Sequence, residues 1–282
     1  MKLRSLVFIV ISVFLAGSAS KPVKILMAGD STMSDKPLTR TATDTVTGEK
    51  IEVSFLERGW GQLLPEFIAD KGEVVNYAGN GRSTRTFIEE GRWTKLIENT
   101  DSGDFVIIQF GHNDEVPTKK SYTVPAQFRL NFVAFVNEVR AKGAYPILCT
   151  SVARRKFDEN GTLVPTHDEY PEIIRSVAKQ EKVPLIDLEK ITSDWLQAAG
   201  VEASNDFFHK FPPGVSMLYP NGLDDNTHFN ELGARTVASF FVKEVERQKI
   251  KKLKKLFVKN KIQLKYEKIY LLFVCSNFIA EL

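Results

Sequence analysis

Short apolar runs alternate along the chain with segments whose apolar residues recur at helical spacing. The runs are typical of buried strands, and they lie at Val23–Ala28, Glu73–Tyr77, Phe105–Phe110, Tyr145–Val152 and Val183–Ile186. The helical segments lie at Trp60–Ile68, Ala126–Ala141 and Glu169–Glu181, and a last helix runs from a cap at Asn230 to about Arg247. Strands separated by helices favour a parallel sheet covered on both faces. The pattern therefore predicts an α/β fold with five parallel strands.

The first twenty residues have the order of parts that is typical of a secretory signal. Lys2 and Arg4 precede an apolar run from Leu6 to Leu15, and the small residues of Ala16–Ser20 follow it. This run is shorter than the ~20 apolar residues that span a bilayer, although a retained N-terminal anchor is the alternative. We therefore expect residues 1–20 to be a signal peptide. We expect the mature protein to be secreted or periplasmic, with no stable membrane insertion after the signal is cleaved.

Composition and charge limit the other classes of protein. Of 282 residues, 43% are hydrophobic and 26% are charged, as in an ordinary globular protein. The net charge of +3 arises at the two ends of the chain, so the stretch from residue 21 to residue 249 is mildly acidic. A nucleic-acid partner would need basic residues clustered on the folded body, and we expect none. Because the sequence shows no internal repeat or linker within residues 22–249, we expect one domain over residues 21–249. Residues 250–282 form a basic and apolar C-terminal extension, for which the sequence pattern predicts no particular structure.

Small polar clusters follow the first three predicted strands, and a fourth cluster precedes the last helix. They are Gly29–Thr32, Gly79–Ser83, Gly111–Asp114 and Asp225–His228. Ligand sites of open α/β sheets lie beyond the carboxyl ends of the strands. Together the clusters offer a hydroxyl nucleophile, backbone N–H donors, a side-chain amide and an Asp/His pair, which acyl transfer through a tetrahedral oxyanion requires.

Each cluster residue also has an ordinary structural explanation. Ser31 could be a helix cap or turn residue, and Gly81 could simply allow positive φ in a turn. Asn113 could belong to an Asx turn, while His228 and Asp225 could sit at the entry of the last helix. The order of the clusters and their placement at strand ends favour the catalytic interpretation.

The ordered clusters resemble the sequence blocks of the SGNH (GDSL) hydrolase superfamily, and most closely the rhamnogalacturonan acetylesterases of carbohydrate esterase family 12. The matching stretches are Ala28–Met33, Gly59–Gly61, Asn76–Arg85, Glu90–Arg92, Phe110–Asp114, Asp225, His228 and Gly233–Ala234. The resemblance covers roughly residues 23–248, and Leu38–Arg58 looks like an insertion. It implies a three-layer α/β/α sandwich of the flavodoxin-like type. It also implies an exported serine esterase that removes O-acetyl groups from a plant cell-wall polysaccharide, most closely rhamnogalacturonan or pectin.

The resemblance also implies a role for individual residues. Ser31 matches the nucleophile, His228 the general base and Asp225 the carboxylate that orients the base. The oxyanion hole would consist of the backbone N–H groups of Ser31 and Gly81 with the side-chain amide of Asn113. These roles are chemically consistent, because a serine hydroxyl is a poor nucleophile until a neighbouring imidazole takes its proton.

Substrate contacts are less visible in the sequence. Arg82, Arg85, Arg154 and His112 lie in or after strand-end loops and are predicted to bind substrate. Arginine forks pair well with carboxylates, which a galacturonic-acid backbone would present. The alternative is that these arginines are ordinary surface or capping residues.

Two other functions stay open at this point. A lipase or acyl-thioesterase of the same superfamily would need an apolar acyl channel, and a non-catalytic glycan-binding module would not need an intact set of catalytic residues. We expect no cofactor and no metal, since His112 with Asp114 lacks a third nearby ligand. Beyond an acetylated polysaccharide or oligosaccharide substrate we expect no partner, and we expect a monomer.

Overall fold

The structure is a computed structural model that describes residues 21–44 and 46–258. The predicted signal peptide and most of the predicted C-terminal extension lie outside the described residues. Within the described residues, no helix combines the length and the apolar character needed to cross a membrane.

A parallel sheet of five strands forms the centre of the fold, as the sequence predicts. The strands of the described chain are β1 (Val23–Gly29), β2 (Thr39–Thr43), β3 (Lys50–Ser54), β4 (Gly72–Asn76), β5 (Phe105–Gln109), β6 (Tyr145–Cys149), β7 (Leu185–Ile186), β8 (Phe208–Phe211) and β9 (Leu223–Phe229). The central sheet has the order β4-β1-β5-β6-β7, which is the flavodoxin-like order. Its register places Met27 opposite both Asn76 and Ile107, so β1, β4 and β5 end at the same edge.

Helices cover both faces of this sheet. They are α1 (Trp60–Leu63), α2 (Thr84–Glu89), α3 (Arg92–Glu98), α4 (Pro125–Ala141), α5 (Tyr170–Glu181), α6 (Leu188–Ala203), α7 (Glu231–Arg247) and α8 (Lys251–Lys254). In β1, Ile25 and Met27 pack into the core on the side of α1, α6 and α7, whereas Leu26 and Ala28 pack on the side of α2 to α5. Because successive residues of a strand point to opposite faces, one short run contributes to both cores. The three-layer α/β/α prediction is confirmed.

The predicted helix over Trp60–Ile68 differs in detail. The α-helical part ends at Leu63, and Leu64–Phe67 forms a 3-10 turn with Pro65 near its start. Proline has no backbone N–H to donate within a helix and its ring crowds the preceding turn, so the regular helix stops there.

The folded core continues beyond the predicted end at residue 249. Leu253, Leu256 and Phe257 are buried in the cluster on the α1 side. The backbone N–H of Val258 donates to the carbonyl of Phe67 at 2.9 Å, which fixes the segment in place. The boundary predicted at residue 249 is therefore wrong, and the folded domain extends at least to Phe257, because apolar side chains after α7 complete the cover of the sheet.

Two antiparallel hairpins, which the sequence patterns did not predict, stand beside the central sheet. The first, β2 with β3, lies within the inserted segment Leu38–Arg58. The second, β8 with β9, leads directly into α7. Lys50–Ser54 carried a signal for the first hairpin, because its polar and apolar residues alternate with the period of a strand.

Candidate active site

Ser31, His228 and Asp225 lie in one hydrogen-bonded line. His228 Nε2 is 2.8 Å from Ser31 Oγ, and His228 Nδ1 is 2.8 Å from Asp225 Oδ2. Ser31 follows β1, whereas the other two residues belong to β9. Asp225 and His228 lie near the end of β9, just before the cap of α7 at Asn230. With its proton on Nδ1, the ring donates a hydrogen bond to Asp225, and Nε2 is left to accept the hydroxyl proton of Ser31.

The Asp225 carboxylate is held in its charged form. Its Oδ1 accepts the backbone N–H groups of Thr227 at 2.8 Å and His228 at 2.9 Å. Burial of this carboxyl acts to raise its pKa, but the hydrogen bonds from the His228 ring and from the two N–H groups outweigh burial and lower the pKa. Asp225 is therefore ionised at neutral pH and fixes the orientation of the imidazole.

A buried chain of hydrogen bonds shapes the turn that presents Ser31. Asp30 Oδ1 accepts the N–H of Thr32 at 2.9 Å and its hydroxyl at 2.7 Å. Gln109 Nε2 donates to the Thr32 hydroxyl at 2.7 Å, and Trp60 Nε1 donates to Gln109 Oε1 at 2.8 Å. The turn is thereby tied to β5 and to α1, so the Ser31 hydroxyl projects from a rigid base.

Two backbone N–H groups near the predicted nucleophile are open. Within residues 21–44 and 46–258, no acceptor takes the N–H of Ser31 or of Gly81. Gly81 has φ +74°, and the space where a Cβ would lie is empty to 4 Å. Only glycine adopts this conformation without strain, so the loop after β4 can present its N–H outward.

Contacts between loops bring Asn113 into the same arrangement. The Asn113 amide donates to the carbonyl of Arg82 at 3.1 Å, and Lys119 Nζ donates to Asn113 Oδ1 at 3.4 Å. Ser34, in the turn of the nucleophile, donates to Asn80 Oδ1 at 2.7 Å. The loops after β1, β4 and β5 are thus connected, and the second N–H of the Asn113 amide is available to a ligand.

The predicted substrate-binding residues have protein partners of their own. Arg82 Nε is 2.9 Å from Glu90 Oε2, and Arg85 Nη1 is 2.8 Å from Glu89 Oε1. Arg154 pairs with Glu115 and donates to the carbonyls of His112 and Thr166. The His112 ring is buried, with Nδ1 3.1 Å from His167 Nε2. Substrate contact by Arg82, Arg85, Arg154 and His112 stays a prediction.

A set of titratable side chains lies buried behind the Asn113 loop, and the sequence did not reveal it as a set. We call Asp30, Asp114, Glu115 and His112 the buried polar layer. Burial raises the pKa of Asp114 and of Glu115 to about 7, and it also raises the pKa of Asp30. Burial, with the nearby His167 and Arg154, holds the pKa of His112 well below its usual value. Periodicity marks which positions are buried only when they are apolar, so a buried carboxyl gives no such signal.

Carboxylate and imidazole side chains are also the types that ligate metal ions. Among the residues that the structure describes, no group of three or more His, Cys, Asp or Glu side chains is arranged to hold a metal ion. The Asp225–His228 pair is committed to Ser31 by its hydrogen bonds.

Comparison with known sequences gives a consistent set of relatives. Residues 28–236 match the GDSL-like lipase/acylhydrolase family. The chain is 39% identical over 227 residues to the rhamnogalacturonan acetylesterase RhgT of Bacillus subtilis, covering 80% of this chain and 90% of that protein. It is 30% identical over 224 residues to the probable rhamnogalacturonan acetylesterase YesY of the same organism, covering 79% and 92%.

Solved structures agree on the fold. The protein YxiM of Bacillus subtilis has a TM-score of 0.66 and 28% identity, over 82% of this chain and 58% of that chain. An acetylxylan esterase from Geobacillus stearothermophilus has a TM-score of 0.55 and 15% identity, over 80% of this chain and 94% of that chain. At this identity the second likeness concerns the fold alone.

Proposed function

Because the chain belongs to the GDSL-like lipase/acylhydrolase family, a family of ester hydrolases, we propose that it is an exported serine esterase that removes O-acetyl groups from rhamnogalacturonan or a related pectic polysaccharide. The hydrogen-bonded line from Asp225 through His228 to Ser31 carries the proposal. The names of the two rhamnogalacturonan acetylesterase relatives support the substrate class.

The first half of the proposed reaction acetylates the enzyme. Ser31 Oγ attacks the acetyl carbonyl carbon while its proton passes to His228 Nε2, and Asp225 stabilises the imidazolium that forms. The carbonyl oxygen becomes an oxyanion that accepts hydrogen bonds from the N–H groups of Ser31 and Gly81 and from the Asn113 amide. The intermediate collapses, the bond to the sugar oxygen breaks, and His228 returns the proton to that oxygen.

The second half restores the serine. A water molecule gives a proton to His228 Nε2 and attacks the acetyl-Ser31 carbonyl, and the same donors hold the second oxyanion. Collapse breaks the bond to Ser31 Oγ, which takes back the proton from His228, and acetic acid leaves and ionises to acetate in solvent. Every proton transfer passes through one imidazole nitrogen, so the reaction needs no Lewis acid.

Acetate release distinguishes this function from the alternatives. The assay compares acetylated rhamnogalacturonan oligosaccharides, acetylated xylo-oligosaccharides and a long-chain 4-nitrophenyl ester under the same conditions. We expect the highest kcat/KM on the first substrate. A higher kcat/KM on the long-chain ester would instead identify a lipase or acyl-thioesterase, and glycan binding without acetate release would identify a binding module.

Export is tested separately from catalysis. The full chain and a chain lacking residues 2–20 are expressed in the same bacterial host, and esterase activity is measured outside and inside the cytoplasm. We expect the full chain to be exported and to begin near residue 21 on N-terminal sequencing. Export of both proteins, or of neither, would contradict a signal in residues 1–20.

A further inference from the structure

Arg40 differs from the other arginines of the described chain in having an unused guanidinium. Within residues 21–44 and 46–258, every other arginine donates at least one hydrogen bond to a protein oxygen, whereas the Arg40 guanidinium donates none. Arg40 lies in β2 and is exposed. Its guanidinium carbon is 3.6 Å from the centroid of the Phe55 ring. The aromatic face holds the cation in place and leaves its N–H groups to a ligand.

The hairpin that carries Arg40 is attached to the strand of the catalytic histidine. The backbone N–H of Arg58 donates to the carbonyl of Phe229 at 2.9 Å, directly after His228. Glu57 forms an antiparallel bridge with Asn230. The segment that follows β3 therefore runs alongside the end of β9.

The same hairpin is attached to the loop of the proposed oxyanion hole. Lys36 is buried, its Nζ is 2.6 Å from Glu57 Oε1, and it also donates to Asn80 Oδ1. Asn80 precedes Gly81 in the chain. The Arg40 hairpin thus borders the candidate site along two of its loops, and it is held there by a buried ion pair.

Aromatic side chains continue from Phe55 towards the second hairpin. The ring centroids of Phe55 and His209 are 5.1 Å apart, and those of His209 and Tyr219 are 5.5 Å apart. The charges of Arg40 and of Asp225 both act on the pKa of Tyr219, which burial raises. Arg40 and Asp225 thus both lie close enough to Tyr219 for their charges to act on its hydroxyl group.

We propose that Arg40 binds the carboxylate of a uronic acid residue in the polysaccharide and so selects acidic substrates. A guanidinium matches a carboxylate with two parallel hydrogen bonds, and Arg40 has no carboxylate partner within the described chain to displace. Arg82, Arg85 and Arg154 would each have to leave a glutamate first. The inference rests on the proposed function, and it assigns the recognition of the acidic chain to a hairpin outside the central sheet.

The test compares the wild-type protein with Arg40→Gln and Arg40→Lys on two matched substrates. One is an acetylated rhamnogalacturonan oligosaccharide, and the other is the same oligosaccharide after its uronate carboxyl groups have been reduced to alcohols. We expect Arg40→Gln to raise KM about tenfold on the acidic substrate, with little change in kcat, since the contact is the same in the ground and transition states. On the reduced substrate we expect equal KM values, and Arg40→Lys should recover part of the loss.

Two controls separate charge recognition from damage to the hairpin. Arg247→Gln removes an exposed arginine that pairs with Glu244 at the end of α7, and its kinetics should match the wild type. All variants should keep the wild-type kcat/KM on 4-nitrophenyl acetate. Equal KM values for wild type and Arg40→Gln on the acidic substrate would overturn the role of Arg40 while leaving the proposed function intact. A wild-type protein that releases no acetate from the acidic substrate but hydrolyses 4-nitrophenyl acetate would overturn the proposed pectic function and the role of Arg40 together.

Discussion

The candidate triad and the buried polar layer both contain carboxyl and imidazole groups, but these groups differ in their hydrogen bonding and exposure. In the triad, both oxygens of Asp225 and both ring nitrogens of His228 have hydrogen-bond partners. In the layer, each residue keeps one polar atom without a hydrogen-bond partner among the described residues: Asp30 Oδ2, Asp114 Oδ2, Glu115 Oε2 and His112 Nε2. The side chains of His228 and Asp225 are 28% and 20% exposed, whereas those four residues are 8% exposed or less.

This difference decides which groups carry charge. Asp225 receives donors from a ring and two backbone N–H groups, and its pKa is lowered. Asp114 also accepts two hydrogen bonds from Thr84, at 2.9 Å and 2.6 Å, yet its complete burial raises its pKa to about 7. Desolvation of an unpartnered oxygen therefore outweighs two hydrogen bonds. The carboxyl groups of the layer are therefore harder to ionise than that of Asp225, which keeps its charge beside His228.

The largest expected effect comes from removing the nucleophile. Ser31→Ala deletes the hydroxyl that would form the acetyl-enzyme, so we expect kcat to fall by at least ~10³. The fold should survive, because His228 is the only hydrogen-bond partner of Ser31 Oγ among the described residues. An unchanged melting temperature is the control. If the variant kept more than about a tenth of the wild-type rate, the reactive group would lie elsewhere. The candidate triad would then no longer differ from the buried polar layer in its function.

A smaller loss is expected at the junction between the two regions. Asn113 adjoins the buried polar layer in the chain, but its amide is a proposed donor to the oxyanion. Asn113→Ala should lower kcat by ~10²–10³ and leave KM nearly unchanged, because the donor is used when charge develops in the transition state. An effect on KM alone would make Asn113 a sugar-binding residue.

The sequence predicted the sheet and the triad for related reasons. Val23–Gly29 and Phe105–Gln109 are continuous apolar runs because both faces of the central sheet are covered. The polar residues that interrupt such runs stand out at the strand ends, and Ser31 and Asn113 were found in this way. The resemblance to a known family then supplied the pairing of Ser31 with His228, which lie far apart in the chain.

What the sequence did not predict depends on contacts between distant segments. Arg40 and Glu57 lie in the segment Leu38–Arg58, which the sequence identifies only as an insertion. Its position beside β9 depends on the hydrogen bond from the Arg58 N–H to the Phe229 carbonyl. Leu253 belongs to the core only because α7 returns the chain to the sheet. Arg154 was predicted from its charge to face substrate, but the pattern could not show that Glu115 lies next to it.

A third prediction concerns stability rather than rate. An Asp in an unfolded chain ionises near pH ~4, whereas the pKa of Asp114 in the folded protein is about 7. Between these values the native state binds the extra proton, so the contribution of Asp114 to stability falls as pH rises from about 4 to about 7. Asp114→Asn removes this dependence. We measure the melting temperature of the variant minus that of the wild type at each pH. We expect this difference to increase by roughly 5 °C between about pH 5 and about pH 8.

This difference isolates the carboxyl from the buried histidines. His112 and His167 have lowered pKa values, so their contribution to stability rises with pH over the acidic range. Because both proteins contain these histidines, that contribution cancels when the variant is compared with wild type. A relative melting temperature that is flat with pH would show that Asp114 is charged in the folded protein and would remove the contrast with Asp225.

The smallest expected effect is that of chelation, where we expect no change. The proposed reaction generates its nucleophile with Ser31, His228 and Asp225, and each proton moves through His228 Nε2, so no step requires a Lewis acid. Dialysis against EDTA should leave kcat/KM on an acetylated oligosaccharide within the error of the untreated protein. Loss of activity with the chelator, restored by Zn²⁺ or Mn²⁺, would mean that Asp114 or His112 of the buried polar layer takes part in the chemistry, since carboxylate and imidazole are the ligands these ions prefer. The layer would then be reactive rather than supporting, and Asp114→Asn would abolish the metal-restored activity.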